Sequence, residues 1–118
     1  TTQIRDKFFI TLDVEEDKLY YRILAYALAY CYYDQPENAV QGYTFQEILG
    51  ACQYFNINSI TCLPDESVKV LLSEMEQLNV LVSMNGRYTF NGANFRHMMG
   101  DHETVFNELL SFSGEEAE

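Results

Sequence analysis

The sequence predicts an α-rich α+β domain, and two observations carry that prediction. Between Leu63 and Asn79, Val68, Leu71, Leu72, Met75 and Leu78 recur three or four residues apart, which marks one face of a helix. Directly after it, Val80-Leu81-Val82-Ser83-Met84 and Arg87-Tyr88-Thr89-Phe90 flank Asn85-Gly86. That dipeptide accepts positive φ at both turn positions and is the strongest short-range hairpin signal. A helix running into a hairpin that ends in an aromatic strand predicts a winged helix: a three-helix core, a small β-wing and an extra C-terminal helix. Residues 1–112 read as one such domain and 113–118 as a frayed acidic tail, since 118 residues can build one core but not two.

Each element follows from local chemistry. Residues 1–7 read as a connector into the apolar segment Phe8-Phe9-Ile10-Thr11-Leu12. The acidic cluster of residues 13–17 suits the first turn of a helix, where carboxylates meet the positive end of the dipole, and that helix is expected to run to Tyr33. Leu19, Ile23, Tyr26, Tyr30 and Tyr33 form one stripe of it, and Tyr20, Leu24, Ala27, Leu28 and Cys31 a second. A helix apolar nearly all round needs cover on more than one side. Residues 35–41 form a polar loop, and Gly42-Tyr43-Thr44 reads as the small third strand beside the wing. Thr44 with Glu47 three residues on predicts a capping box for a helix from Phe45 to Tyr54, with Ile48, Leu49, Cys52 and Phe55 buried. Residues 56–63 read as a linker, longer than the tight turn of a duplex-reading helix-turn-helix. Pro64 opens the next helix. Beyond the hairpin, residues 93–99 predict one or two helical turns ended by Gly100. Asp101 then caps a last helix with Val105, Phe106, Leu109, Leu110 and Phe112 on its apolar side.

The order of these segments, and several residues within them, resembles the C-terminal winged-helix domain of prokaryotic multidomain P-loop ATPases of the AAA+ type. The residues that carry the likeness are Leu12-Asp13 before the first helix, the run Glu74-Met75-Glu76-Gln77-Leu78-Asn79-Val80-Leu81, and the wing strand Arg87-Tyr88-Thr89-Phe90. Asn94, Phe95-Arg96, Met98-Met99-Gly100 and the acidic helix of residues 103–109 complete it. The likeness spans Phe8 to Leu110. Asn91 and Ala93 depart from it, standing where that group has Arg and Pro. The resemblance implies a non-catalytic accessory or regulatory domain in a larger bacterial, cytoplasmic protein, packed against the parent ATPase domain. The chain begins with Thr1 rather than Met, which fits a domain excised from such a protein.

Composition narrows the function further. Eighteen carboxylates against seven Lys and Arg give a formal charge of −11, which repels phosphate backbones. The GxxxxGK[ST] loop that holds nucleotide phosphates is missing from the sequence. Cys31, Cys52 and Cys62 lack CxxC spacing and read as small hydrophobes in a reducing cytosol. His97 and His102 stand five apart across Gly100, the wrong spacing for a zinc helix. No catalytic residue, cofactor site, metal site or membrane span is therefore expected. Lys69, Arg87 and Arg96 are the thin set of candidate nucleic-acid contacts, and the alternative function they would serve is a small winged-helix transcription regulator binding duplex as a dimer. The favoured candidates are Tyr21, Tyr26, Tyr32 and Tyr33 on the first helix, a protein-interaction surface for a neighbouring domain or a second copy of the chain.

Overall fold

The computed structural model describes residues 19–113. The Phe8–Leu12 segment, the acidic cluster of residues 13–17 and the tail residues 114–118 lie outside the described residues. The architecture is helix-rich with a small three-stranded antiparallel sheet, an α+β arrangement.

The first described helix, α1, runs Tyr20–Asp34. Leu19 precedes it in the left-handed region at φ 58, and no carboxylate occupies the first turn. The expectation that residues 13–17 form that turn is thereby corrected. Helix α1 is the central element: it packs against α2 (Phe45–Tyr54), α4 (Asp65–Gln77) and α6 (His102–Phe112). That threefold cover explains its composition, because Ile23, Leu24, Ala25, Ala27, Leu28 and Ala29 are all buried. A 3₁₀ turn over Pro36–Asn38 and the two-residue strand β1 (Tyr43–Thr44) lead into α2.

Helix α2 starts as its sequence dictates. The Thr44 side chain accepts from the Glu47 amide at 3.1 Å, and the Glu47 carboxylate accepts from the Thr44 amide at 2.9 Å. It ends on Asn56 in the left-handed region (φ 57), with the amides of Asn56 and Ile57 returning to the carbonyls of Gln53 and Cys52. The expected linker contains a short helix, α3 (Asn58–Thr61), whose Ile60 is buried. Helix α4 ends the same way as α2. Asn79 takes φ 66, and the amides of Asn79 and Val80 bond the carbonyls of Glu76 and Met75.

Strands β2 (Leu81–Met84) and β3 (Arg87–Phe90) form the hairpin, with Asn85 at φ 55 and Gly86 at φ 78 in the turn. The sheet order is β1-β3-β2, in the register Leu81↔Phe90, Ser83↔Tyr88 and Tyr43↔Tyr88. Leu81, Phe90 and Tyr43 are buried, whereas Val82 and Met84 lie open to solvent. The Asn91 side chain donates to the Asn79 carbonyl at 2.9 Å and closes the base of the hairpin. A short helix, α5 (Ala93–Met98), follows and ends on Gly100 at φ 98. Asp101 then caps α6, its carboxylate accepting from the Thr104 amide at 2.9 Å.

Two core assignments change. Leu78 is 40% exposed rather than part of the core, because it sits at the C-cap of α4, where the chain leaves the helix and its face turns away. Leu110 is likewise 47% exposed on the outer side of α6, which buries Val105, Leu109 and Phe112. Ile48, Leu49, Leu71, Met75, Val80, Leu81 and Phe90 share the buried cluster, as the helical spacing predicts.

Candidate functional site

The tyrosines of α1 serve the fold. Tyr21 and Tyr26 are buried at 5% and 4% exposure, which corrects their assignment to an interaction surface. The Tyr21 hydroxyl donates to the Glu74 carboxylate and ties α1 to α4, and the Tyr26 ring lies against Phe112 of α6. Tyr32 and Tyr33 are half-buried, with both hydroxyls engaged. Tyr32 accepts from the Phe90 amide at 3.1 Å and packs against the rings of Tyr43 and Phe90. Burial pushes its phenol above the ordinary tyrosine range. Tyr33 donates to the Gly100 carbonyl at 2.6 Å and stacks on the His102 ring at 5.0 Å. The aromatic stripe of α1 thus joins the sheet and the C-terminal helices to it.

Two of the three candidate cations, Arg96 and Arg87, are similarly committed. Arg96 lies over the rings of Tyr33 and Tyr32, at 4.4 and 5.0 Å, and donates to the Tyr33 hydroxyl. Arg87 donates to the Gly42 carbonyl at 3.0 Å and faces Glu47 at 3.9 Å. Lys69 is exposed on α4, 5.1 Å from the Phe45 ring. These three sit on three different elements, α4, β3 and α5. Along α4, Asp65 and Glu66 share the exposed surface with Ser67, Lys69, Val70, Ser73 and Gln77.

A groove of about 460 Å³ opens where the C-terminal end of α1 meets α2. Tyr30 and Asp34 contribute from α1, and Glu47, Gly50 and Tyr54 from α2. The Tyr30 and Tyr54 rings are nearly parallel, inclined 20° with centroids 6.2 Å apart, and Tyr54 is 68% exposed. Cys31 reaches the groove from beneath, its thiol donating to the Glu47 carbonyl at 3.6 Å. Burial, followed by the nearby charges of Glu47 and Asp34, pushes that thiol up to about 12, so it stays protonated and unreactive. Burial alone takes Cys52 to the same value. Burial and Asp34 also raise the Tyr30 phenol. A second hollow, about 410 Å³, lies beside the hairpin among Val40, Met84, Arg87 and Thr89.

Sequence periodicity missed the groove because its residues come from two helices and share no motif. Two signals were present in the chain: a glycine inside α2, and a carboxylate at the negative end of α1. Among the described residues, no cluster of three His, Cys, Asp or Glu side chains is placed to hold a metal ion. His97 is exposed, and His102 stacks on Tyr33. No helix among the described residues is long and apolar enough to cross a membrane. Comparison with protein-family models, curated proteins and solved structures found no match to this chain.

Proposed function

We propose that this chain is a non-catalytic winged-helix module that works by docking to protein, as an accessory or regulatory domain of a larger cytoplasmic bacterial P-loop ATPase. The winged-helix reading is supported by the element order: helix, short strand, helix, a four-residue helix, helix, hairpin, with β3 between β1 and β2. The ATPase context is supported by the sequence likeness spanning Phe8 to Leu110.

The observation that carries the docking reading is the character of α4. A winged helix that reads duplex offers cations and amides from this helix to base edges and phosphates. Here its exposed surface offers Lys69 against Asp65 and Glu66, while Arg87 and Arg96 are held by the protein itself. A net charge of −11 adds long-range repulsion from nucleic acid.

The test is a pair of titrations on the 118-residue chain. Fluorescence anisotropy with a labelled random duplex at physiological salt is expected to show binding no tighter than about 10 µM, the weak non-specific regime. Calorimetry against the P-loop polypeptide from the same reading frame is expected to show saturable binding. Sub-micromolar duplex affinity that collapses with added salt would instead establish the transcription-regulator alternative.

A further inference from the structure

We propose that the groove between the C-terminal end of α1 and α2 receives an arginine side chain from the partner polypeptide. This deepens the docking reading above and rests on it. Charge is the first argument. Asp34 is the last residue of α1, a fifteen-residue helix, so its carboxylate adds to the negative end of the dipole, and no basic residue occupies the last turn. Glu47 is partly answered, since it accepts from the Thr44 amide and faces Arg87. Asp34 is exposed, and among the described residues no side chain donates to it or pairs with it. A cation in the groove mouth would answer both Asp34 and the negative end of the α1 dipole.

Shape selects the kind of cation. The Tyr54 face is open to solvent and nearly parallel to the Tyr30 ring. A planar guanidinium is weakly hydrated, stacks on phenol faces and forks onto a carboxylate; a lysine ammonium does neither as well. The protein already makes this pairing internally, where Arg96 lies over Tyr33.

Gly50 supplies a third, independent argument. It lies within α2 at an ordinary helical conformation, and a Cβ built there meets nothing within 4 Å. No close approach of backbone or side chain demands glycine at this position. What its missing side chain does is keep the groove open beside Tyr54.

The test is an amide chemical-shift titration of the full chain with acetyl-Gly-Arg-Gly-amide, beside its lysine and citrulline counterparts. The arginine probe is expected to give saturating shifts at Asp34, Gly50 and Tyr54, the lysine probe weaker ones, and uncharged citrulline none. Asp34→Asn should weaken the arginine probe about fivefold, the scale of an exposed cation–π or ion-pair contact. Gly50→Gln should fill the groove and abolish those shifts while the thermal midpoint holds or rises. Shifts that scatter over the acidic surface without saturating, or a Gly50→Gln chain that binds like the parent, would overturn the proposal. If Gly50→Gln still docks to the P-loop polypeptide with unchanged affinity, the groove assignment falls and the docking reading stands. Salt-steep duplex binding in place of docking removes the reading on which the groove rests.

Discussion

Gly42 and Gly50 show how differently one residue type is used within a few positions of chain. Gly42 has φ +95, and an added Cβ would lie 2.8 Å from the Tyr88 carbonyl oxygen, backbone that cannot step aside. Gly50 has an ordinary helical backbone and open space. Gly42→Ala is therefore expected to destabilise by more than about 1 kcal/mol, and Gly50→Ala to stabilise by about 0.4–1 kcal/mol. Chemical denaturation of the two variants checks both signs, and a stabilised Gly42→Ala would refute the close approach. Asp101 is the other residue whose local chemistry gives a measurable consequence. The amide of Thr104 holds its carboxyl below the ordinary value of 3.8. Because the folded value is the lower one, the cap's contribution is complete above the ordinary value and is lost as pH falls through the depressed one. The thermal midpoints of the wild type and Asp101→Ala should thus differ at neutral pH and converge on acidification. A gap that stays constant through the carboxylate range would mean the charge plays no part in the cap. Of the groove, no residue was legible from spacing alone. The unusual placements of Gly50 and Asp34 could be read, but only adjacency in space joins them to Tyr54.

At the scale of elements, legibility depended on whether the signal was local. The capping box at Thr44, the Asn85-Gly86 turn and the Asp101 cap are satisfied within a few residues, so sequence places all three correctly. The short helix α3 reads as linker in the sequence because four residues carry too little periodicity to register. The tyrosines of α1 misled for a different reason. A stripe of aromatic residues states that cover is needed without stating how much of it the same chain supplies, and here α4, α5, α6 and the sheet supply it. Leu78 shows the limit of periodicity most clearly. It continues the spacing of Val68, Leu71 and Met75, yet α4 ends one residue earlier and Asn79 reverses the backbone. Leu72, fully buried on α4, is its counterpart. Leu72→Ala should cost about 2–5 kcal/mol, the range for a truncated core leucine, whereas Leu78→Ala should cost under about 1 kcal/mol. Urea midpoints at constant slope measure the difference. Equal losses would put Leu78 back in the core.

Over the whole molecule, charge is the dominant global property, and it makes a prediction about stability as well as about partners. Eighteen carboxylates face seven Lys and Arg, and among the described residues the ion pair Arg87–Glu47, at 3.9 Å and partly exposed, is weak by geometry. Arg96 is held by aromatic faces rather than by a carboxylate. The described residues span 35 × 31 × 28 Å along their principal axes. At about 0.01 M salt the screening length is roughly 30 Å, comparable to the span of the described residues, so their carboxylates repel one another over that whole distance; at about 0.15 M it is roughly 8 Å and only neighbours interact. Unfolding separates these charges, so the repulsion weighs against the native state more heavily at low salt. The thermal midpoint should accordingly rise as sodium chloride is raised from about 0.01 to about 0.15 M. Potassium chloride should do the same, because screening depends on ionic strength and not on the identity of a monovalent cation. Differential scanning calorimetry over that range decides the matter. A midpoint that falls with salt would mean that attractive pairs outweigh the repulsion, and the acidic surface would then be internally neutralised rather than free to attract a basic partner. A midpoint that rises keeps that surface electrostatically open, the condition under which a cationic segment gains most from docking.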